Sequence, residues 1–363
     1  MRWCCLNALP EDTMPLMEPD YHALPLWEER FSASWKAVPE DFRVDELADF
    51  ERDPKGEQVL LQVSKRGQNT HWVAREIARF AGVRDFDVAY CGLKDRQAVT
   101  RQWMSVYLGA RPEPDWSQCR LPEVQILPVG RTRRKLRRGD HAGNRFKIVI
   151  TMEALEHEAE NQPRRAEIDR RLTVLKRDGY PNAFGPQRFG REDDNVRRAL
   201  TWLKHGTRMK NRHLQGVYLS AIRAAFFNAV LNARLRQGNW NQLLTGDVPV
   251  AAAAAELGWG GLSACLVPSG VLPGDARFGE GEKGKLEEQI MAPFQEVLAQ
   301  LHRLGVRGQN RPLVARCQAL DWEWEGMSRL TLSITLGKGC YASSLLEQIF
   351  ILDSEGEESD DDH

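Results

Sequence analysis

The sequence has few of the features that mark metal-binding, redox-active or secreted proteins. Its seven cysteines are an odd number, and none of them has the C-x-x-C spacing that is typical of zinc or redox sites. The first twenty residues contain no continuous apolar segment before a cleavage site, which argues against a secretory signal. We therefore expect reduced thiols, a cytoplasmic location and no bound metal ion.

Long apolar runs and cofactor loops are also missing. No apolar stretch approaches the ~20 residues that are needed to span a bilayer, so no membrane contact is expected. One formal G-x-G-x-x-G occurs at Gly279–Gly284, but no convincing strand precedes it and its two glutamates would face any phosphate. A methyltransferase would need such a loop, and only a dependence on S-adenosylmethionine would support that class. The sequence therefore offers no credible loop for a nucleotide cofactor.

Charge is unevenly distributed along the chain. Residues 353–363 carry seven carboxylates and no lysine or arginine, which predicts an acidic, disordered tail. Without this tail, 50 basic and 44 acidic residues leave a net charge of +6. A modestly basic body permits a nucleic-acid partner without requiring one. Residues 1–25 are predicted to be a disordered leader.

The densest positive charge lies just before the middle of the chain. The basic cluster, as we name it, consists of Arg131, Arg133, Arg134, Lys135, Arg137 and Arg138. A charge run is usually a solvated face, but like charges at this density repel one another unless anions are nearby. A solvated surface and a binding site for RNA phosphates are therefore both open interpretations.

A polar turn between two segments of strand character carries a single carboxylate. Val88–Cys91 and Trp103–Leu108 have the bulky and β-branched residues that are typical of strands. Asp95 lies between them, flanked by two cations. Loops on rigid strands often carry catalytic residues, although a solvated hairpin end is the commoner explanation of such a turn.

A second unusual segment is the glycine- and proline-rich loop at residues 179–190, GYPNAFGPQRFG. Its three glycines and two prolines exclude a regular helix or a central strand. Phe184 and Phe189 could fill the core, or an aromatic face could stack on an extruded base. In the second case Asn182 or Gln187 could offer amide groups to a nucleotide.

Four segments, in the same order, resemble motifs of the TruD family of tRNA pseudouridine synthases. They are WKAVPEDFRVDE at residues 35–46, YCGLKDRQAVTRQ at 90–102, PNAFGPQRFG at 181–190 and GCYASSLLEQIF at 339–350. Ala183 departs from the family's tyrosine, and Glu347-Gln348 stands where the family has an arginine–glutamate pair. The resemblance covers roughly residues 28–350.

The resemblance implies roles for particular residues. Asp95 corresponds to the catalytic aspartate, and Lys36 to a lysine that reaches the active site. Asn182 and Phe184 match active-site residues, and Tyr341 matches the aromatic residue that faces the target base. Together with the basic cluster, Arg188 is expected to hold RNA phosphates.

The activity implied by the resemblance is the isomerisation of uridine to pseudouridine at position 13, in the D-arm of tRNA, without a cofactor. Breaking the glycosidic bond develops positive charge at the sugar carbon, which an ionised carboxylate stabilises. Whether Asp95 attacks covalently or assists elimination to a glycal stays open. The group that removes the C5 proton also stays open, with the Tyr341 hydroxyl as one candidate.

A non-catalytic tRNA-binding or chaperone protein is the alternative function. Such a protein would use the basic cluster and the aromatic loop but would not need Asp95. In both cases we expect tRNA as the partner of a monomeric protein.

The predicted fold is α+β, with a mixed, mainly antiparallel catalytic sheet and a helix-rich insertion. Residues 26–206 and 316–352 are predicted to form the catalytic domain, and residues 207–315 the inserted TRUD domain. Apolar periodicity and capping residues predict helices at Gly67–Gly82, Arg165–Arg177, Asn195–His205, Val217–Leu235 and Lys285–Leu304. Strict alternation predicts a half-buried strand at Leu330–Leu336, and Ser343 is a candidate cap of a last helix.

Overall fold

The computed structural model of the chain describes residues 18–109, 111–154, 158–251, 266–275 and 278–353. The acidic tail beyond Asp353 and residues 1–17 of the predicted leader lie outside the described residues. The described chain forms two compact units. The sheet unit comprises 25–182, 249–267 and 312–353, and the helical unit comprises 18–24, 183–248 and 268–311.

The regular elements are numbered along the chain. The strands are β1 (Phe31–Trp35), β2 (Phe42–Leu47), β3 (Gln58–Arg66), β4 (Val88–Tyr90), β5 (Val99–Tyr107), β6 (Val124–Thr132), β7 (Gly143–Thr151), β8 (Tyr180–Pro181), β9 (Val250–Ala251), β10 (Leu266–Val267), β11 (Ser269–Leu272), β12 (Gln309–Pro312), β13 (Val314–Ala315), β14 (Cys317–Glu325), β15 (Arg329–Gly337) and β16 (Phe350–Asp353). The helices are α1 (Thr70–Ala81), α2 (Glu158–Asp178), α3 (Asp194–His205), α4 (Arg212–Arg236), α5 (Gly281–Met291), α6 (Gln295–Arg303) and α7 (Ala342–Leu346).

One large sheet organises the sheet unit. Its main strand order is β14-β15-β7-β2-β5-β3-β6, with β1 beside β7 and β16, and β4 beside β5. The β1–β16 and β2–β5 pairs are parallel, whereas the other described pairs of this sheet are antiparallel. The predicted α+β class with a mixed, mainly antiparallel sheet is therefore confirmed.

The sheet buries apolar side chains against helices on its surface. In β15 the alternating Leu330, Leu332, Ile334 and Leu336 are at most 1% exposed, as the period of two predicted. They share one core with the predicted apolar face of α2, which consists of Ile168, Leu172 and Leu175. The α1 prediction is also confirmed. Asn69 caps its start, and Gly82 ends it in the left-handed conformation that glycine adopts readily.

In the helical unit, α4 is the central element. Within the described residues it is the one helix that is long and apolar enough to cross a membrane, but 61% of its most apolar window is buried inside the protein. Its buried Asn228 donates to the carbonyl of Tyr21 at 2.9 Å. Tyr21 is itself only 1% exposed. The disordered leader at residues 1–25 stays a prediction.

The single long helix predicted at Lys285–Leu304 is wrong. The structure has α5 and α6, separated by a short turn at Ala292–Phe294. Pro293 lies in this turn, and because proline lacks an N–H it cannot continue the hydrogen bonds of an α-helix. The second segment of the helical unit begins at Ala183, whereas the inserted domain is predicted at 207–315, and those bounds stay a prediction.

Candidate active site

Asp95 and Lys36 meet in the sheet unit. The Lys36 Nζ lies 3.0 Å from the Asp95 Oδ2, although 59 residues separate them in the sequence. The same Nζ lies 4.2 Å from the Trp35 ring centroid and 4.3 Å from that of Phe42. Attraction to two aromatic faces restrains the ammonium group. The Asp95 side chain is 46% exposed, so its carboxylate remains accessible to a ligand.

The backbone at Lys36 explains how its side chain is aimed. Lys36 follows β1 with a φ of +55°, a conformation that is uncommon for a residue with a Cβ. The one-turn helix Pro39–Asp41 follows it, and the buried Asp41 carboxylate accepts a hydrogen bond from the Val38 N–H at 3.2 Å. Arg329 on β15 pairs with Asp41 at 3.2 Å. This turn joins the lysine to the sheet and fixes its direction.

The loop that carries Asp95 rests on a buried lysine. Lys65, near the end of β3, is 1% exposed. Its Nζ donates to the carbonyl oxygens of Gln68 at 2.6 Å, Asp95 at 2.8 Å and Lys94 at 3.3 Å. A buried ammonium group is stable only where its hydrogen bonds are satisfied. Lys65 therefore fixes the backbone of Asp95 itself.

A buried ion pair holds the neighbouring residue of the loop. The Lys94 Nζ lies 2.7 Å from the Glu46 Oε1, and the two side chains are 7% and 0% exposed. The second oxygen of Glu46 accepts from the Trp103 N–H at 2.9 Å. Lys94 thus points into the protein while Asp95, the next residue, points outward. Of these two charged side chains, Lys94 is buried in its ion pair, whereas Asp95 is accessible to a ligand.

A polar network connects the same loop to the start of α1. The Thr70 hydroxyl accepts from the Lys94 N–H at 3.2 Å and donates to the Gln102 side chain at 3.2 Å. Gln102 in turn donates to the Gly92 carbonyl at 3.3 Å. The prediction that the second strand begins at Trp103 was wrong by four residues, because β5 begins at Val99 and buries Gln102 within this network.

Cys91, at the start of the loop, is a structural residue. It is 1% exposed, and burial together with the nearby Glu46 carboxylate raises the pKa of its thiol to about 12. A neutral thiol is a poor nucleophile. Among the residues that the structure describes, no group of three or more His, Cys, Asp or Glu side chains has the geometry of a metal site.

Asn182 and Tyr341 lie on neighbouring elements of the sheet unit. Asn182 follows β8, is 2% exposed, and bonds through its backbone N–H to the Leu313 carbonyl and through its Nδ2 to the Pro312 carbonyl, both at 2.8–2.9 Å. The Tyr180 hydroxyl lies 3.5 Å from the Tyr341 carbonyl. Tyr341 is 38% exposed. It occupies the cap position of α7, so the prediction of Ser343 as the cap was wrong.

Phe184 belongs to the helical unit. Its backbone N–H and carbonyl both bond to the Asn228 side chain at 2.9 Å. Its ring is 9% exposed and lies in edge contact with Phe227, with centroids 5.5 Å apart. The guanidinium carbon of Arg311 lies 4.1 Å from the Phe184 centroid. One face of the ring therefore already carries a planar cation, and a base could stack only on the opposite face.

Arg188 and Phe189 follow in the same loop. The Arg188 guanidinium donates to the Ser220 hydroxyl at 2.8 Å and lies 5.5 Å from the Phe184 ring centroid. Phe189 is 1% exposed and packs against Tyr21 at a centroid distance of 4.8 Å. Of the two phenylalanines in the loop, Phe189 is a core residue.

The basic cluster is partly neutralised by the protein. Its ion pairs are Arg131 with Glu113 at 2.8 Å, Arg133 with Asp53, and Arg134 with Asp140 at 3.0 Å. Leu136, in the middle of the cluster, is 4% exposed and anchors the segment in the core. These internal carboxylates explain how the sequence tolerates such density. Lys135, Arg137 and Arg138 are exposed to solvent.

Sequence reasoning did not assign site roles to Lys65, Glu46 and Arg311. A signal for the first two existed. Lys65 continues the alternation of the buried Val59, Leu61 and Val63, and Glu46 occupies the buried face of β2. A charged residue at a core-facing strand position requires a buried partner. Nothing local marked Arg311.

Comparison with known proteins identifies the family of the chain. A family model for tRNA pseudouridine synthase D (TruD) matches residues 27–203. The tRNA pseudouridine synthase D of Cellvibrio japonicus is 35% identical over 329 residues, which cover 89% of this chain and 91% of that protein. That of Nitrosococcus oceani is 37% identical over 331 residues, covering 88% and 90%.

The fold is also similar to a solved structure. The crystal structure of a candidate tRNA pseudouridine synthase D (TruD) from Methanosarcina mazei has a TM-score of 0.66 to this chain, with 18% identity, over 90% of this chain and 95% of that one. At this identity the match supports the fold alone. The sequence matches, which cover most of this chain and of each relative, lead to one conclusion. The chain belongs to the TruD family of tRNA pseudouridine synthases.

Proposed function

We propose that this chain isomerises uridine to pseudouridine at position 13, in the D-arm of tRNA, with Asp95 as the catalytic residue and with no cofactor. Family membership makes the chain an isomerase that acts on tRNA. The position within tRNA and the residue roles are our proposal. The contact of 3.0 Å between the exposed Asp95 carboxylate and Lys36 carries it.

The Asp95 carboxylate has the properties that the first chemical step needs. Cleavage of the C1′–N1 bond leaves positive charge on the sugar and negative charge on the uracil. A carboxylate aimed at the sugar stabilises the first of these charges, by covalent attack or by assisting elimination to a glycal. The uracil then turns and C5 bonds to C1′. In the covalent route the C1′–O bond to Asp95 breaks as this bond forms, and in the glycal route the proton taken from C2′ returns to C2′. The C5 proton is then lost, and N1, left negative by the first cleavage, takes up a proton. Atoms balance in this sequence without an external reactant.

Lys36 acts on Asp95 rather than on the substrate in this proposal. Its ammonium group holds one carboxylate oxygen, which leaves the other oxygen for the ribose. Restraint by Trp35 and Phe42 keeps the pair oriented before the substrate binds. Lys65 and Lys94 support the backbone from within the core. Lys36 is thus a positioning residue.

The remaining predicted residues are assigned to binding. Phe184 and Tyr341 are proposed to stack on or steer the freed uracil, and Asn182 to hold the loop that precedes Phe184. The basic cluster and Arg188 are proposed to bind phosphates. Lys135, Arg137 and Arg138 are exposed, and among the described residues no carboxylate pairs with them as carboxylates do with the first three arginines of the cluster.

The decisive experiment replaces Asp95. Asp95→Asn should lower tritium release from C5-labelled uridine in tRNA by about 1,000-fold or more, with tRNA affinity close to that of the wild type. Asp45→Asn is the matched control, because Asp45 is also half-exposed and paired with a cation, Arg101 at 3.1 Å. Retained turnover in the Asp95 variant would remove the assignment.

The alternative of a non-catalytic tRNA-binding protein is tested in the same assay. It requires that the wild-type chain bind tRNA without releasing tritium. Pseudouridine mapping in tRNA from a strain that lacks this gene would identify the modified position. Loss of pseudouridine at a site other than position 13 would keep the reaction and overturn the proposed position.

A further inference from the structure

An exposed phenylalanine lies at the entrance to the strand that leads to the Asp95 loop. Phe86 is in the one-turn helix Asp85–Asp87, directly before β4, and is 60% exposed. An exposed phenylalanine forgoes the free energy that burial would provide. Where charged side chains also hold its ring in place, such a residue on the surface can mark a binding site.

Arg84 is stacked on this ring and held there. Its guanidinium carbon lies 3.9 Å from the Phe86 centroid. Asp87 fixes the plane of the guanidinium group, with the Nε to Oδ2 distance at 3.0 Å and the Nη2 to Oδ1 distance at 3.4 Å. These bonds lower the pKa of the Asp87 carboxyl, which therefore stays ionised. The Arg84 side chain is still 70% exposed, so the guanidinium group is open to solvent while its edge is fixed.

The basic cluster meets this pair through Lys135. Its Nζ donates to the Phe86 carbonyl and lies 5.9 Å from the Phe86 ring centroid. Lys135, Arg137 and Arg138 are exposed on the same segment. A planar, exposed stacking surface therefore stands beside exposed positive charge. This is the combination that binds a nucleotide, because the flat surface takes the base and the cations take the phosphate.

We propose that Arg84 and Phe86 form a stacking platform for an unpaired base of the bound tRNA, with Lys135 holding the adjoining phosphate. The identification of the ligand as tRNA rests on the proposed function above. The platform takes a nucleotide other than the target, because the three residues of β4, about 10 Å of strand, separate it from the turn that leads to Asp95. Stacking contributes affinity without reading a particular base.

The test measures tRNA binding and catalysis in platform variants. Phe86→Ala should raise the Kd for tRNA by about 5- to 150-fold, as loss of one base stack predicts. Phe86→Trp should retain affinity because indole presents a larger stacking face. The kcat at saturating tRNA should be unchanged in both. Leu127→Ala is the matched control, because Leu127 is 59% exposed on β6 and has no cation stacked on it in the described contacts.

Salt dependence separates stacking from charge. Phe86→Ala should leave the slope of log Kd against log salt unchanged, whereas Lys135→Ala should reduce it by about one. Thermal unfolding checks that the variants fold. Wild-type affinity in Phe86→Ala would overturn the platform, and so would an equal loss in Leu127→Ala. A change in the sedimentation of the protein alone, with RNA binding intact, would assign Phe86 to a protein contact and also overturn it.

The outcome is distinguishable from failure of the proposed function. Tritium release by the wild type tests that function directly, and it can succeed while the platform fails. A mixed-sequence single-stranded RNA 12-mer, titrated in parallel, tests the platform even if tRNA is not a substrate. Equal affinity of wild type and Phe86→Ala for this 12-mer and for tRNA would end the proposal.

Discussion

Lys36 combines an unusual backbone conformation with several contacts of its ammonium group. It has an unfavourable left-handed backbone, two aromatic faces near its ammonium group and a carboxylate at 3.0 Å. Left-handed conformations of residues other than glycine persist where surrounding contacts outweigh their cost, often at functional sites. Here the Pro39–Asp41 turn and the Asp41–Arg329 pair supply those contacts. These contacts restrain Lys36, whose ammonium group in turn restrains the direction of the Asp95 carboxylate.

Lys36→Met should lower kcat by about 100-fold, because loss of the ion pair frees the carboxylate to adopt unproductive orientations. The KM for tRNA should change little, since Lys36 is not assigned to the RNA. Steady-state tritium release as a function of tRNA concentration separates the two constants. Lys147→Met, at an exposed position of β7, should behave as the wild type. A rise in KM with kcat unchanged would instead assign Lys36 to substrate binding.

At the scale of elements, the Asp95 loop is held from three sides. Glu46 comes from β2, Lys65 from β3 and Thr70 from the first turn of α1. Each bonds to Lys94 or to the backbone of Asp95, and none of them is close to these residues in the sequence. The loop is therefore held in place by two strands of the sheet and by α1. This arrangement positions one exposed carboxylate on an otherwise buried polar network.

Lys65→Met keeps the length of the side chain but removes the hydrogen bonds that its Nζ donates to the carbonyls of Gln68, Lys94 and Asp95. We expect the free energy of unfolding to fall by about 2 kcal/mol, because three partly buried carbonyl groups lose a charged donor. At a temperature well below the unfolding transition, kcat should also fall by at least about 10-fold with KM nearly unchanged. Lys55→Met, in an exposed turn, is the control for both measurements.

A purely structural lysine would give a different result. Once folded at low temperature, the Lys65→Met protein would then show wild-type kcat despite its lower stability. Thr70→Val, which removes a hydroxyl bonded to Lys94 but no charge, should show a smaller change of kcat in the same direction.

At the scale of the whole molecule, ion pairs within α2 orient an arginine that joins this helix to the chain before β1. Glu167 on α2 bonds to Arg170 and Arg171 at 2.6–2.7 Å, and these bonds lower the pKa of its carboxyl to about 2. Arg171 is 7% exposed and also donates to the Glu29 carbonyl at 2.6 Å, just before β1. The Glu167 charge therefore helps to fix α2 against the sheet.

Stability should depend on pH through this group. Its folded pKa lies below the ordinary value of 4.5, so its contribution is complete above pH 4.5 and is lost as the pH falls towards 2. We expect Glu167→Gln to lower the free energy of unfolding by about 1 kcal/mol at pH 7, after allowance for solvent screening at a side chain that is 33% exposed. In urea unfolding at pH 7 and pH 3, the difference in the free energy of unfolding between Glu167→Gln and the wild type should be smaller at pH 3.

The control for this measurement is Glu323→Gln, at an exposed position of β14. Its difference from the wild type should be small at both pH values. A gap for Glu167→Gln that stays constant or widens between pH 7 and pH 3 would contradict the role given to its charge.

The sequence by itself determined the α+β class, the family and the local elements with clear periodicity. The alternation in β15, the apolar face of α2 and the cap of α1 are set by residues close together in the chain, so local pattern sufficed. Local pattern failed where a proline interrupted an apolar helical pattern and where a polar residue was buried in a strand. Pro293 divided the predicted long helix, and Gln102 joined a buried strand despite its polarity.

Only the tertiary structure decided how the candidate site is held. The partners of Asp95, Lys94 and Phe184 are Lys36, Glu46 and Asn228, at separations of 59, 48 and 44 residues. Periodicity could mark Lys65 and Glu46 as charges on buried faces, but it could not say which atoms would satisfy them. A buried charge must find its partner in space, and the distance along the chain carries no information about where that partner lies.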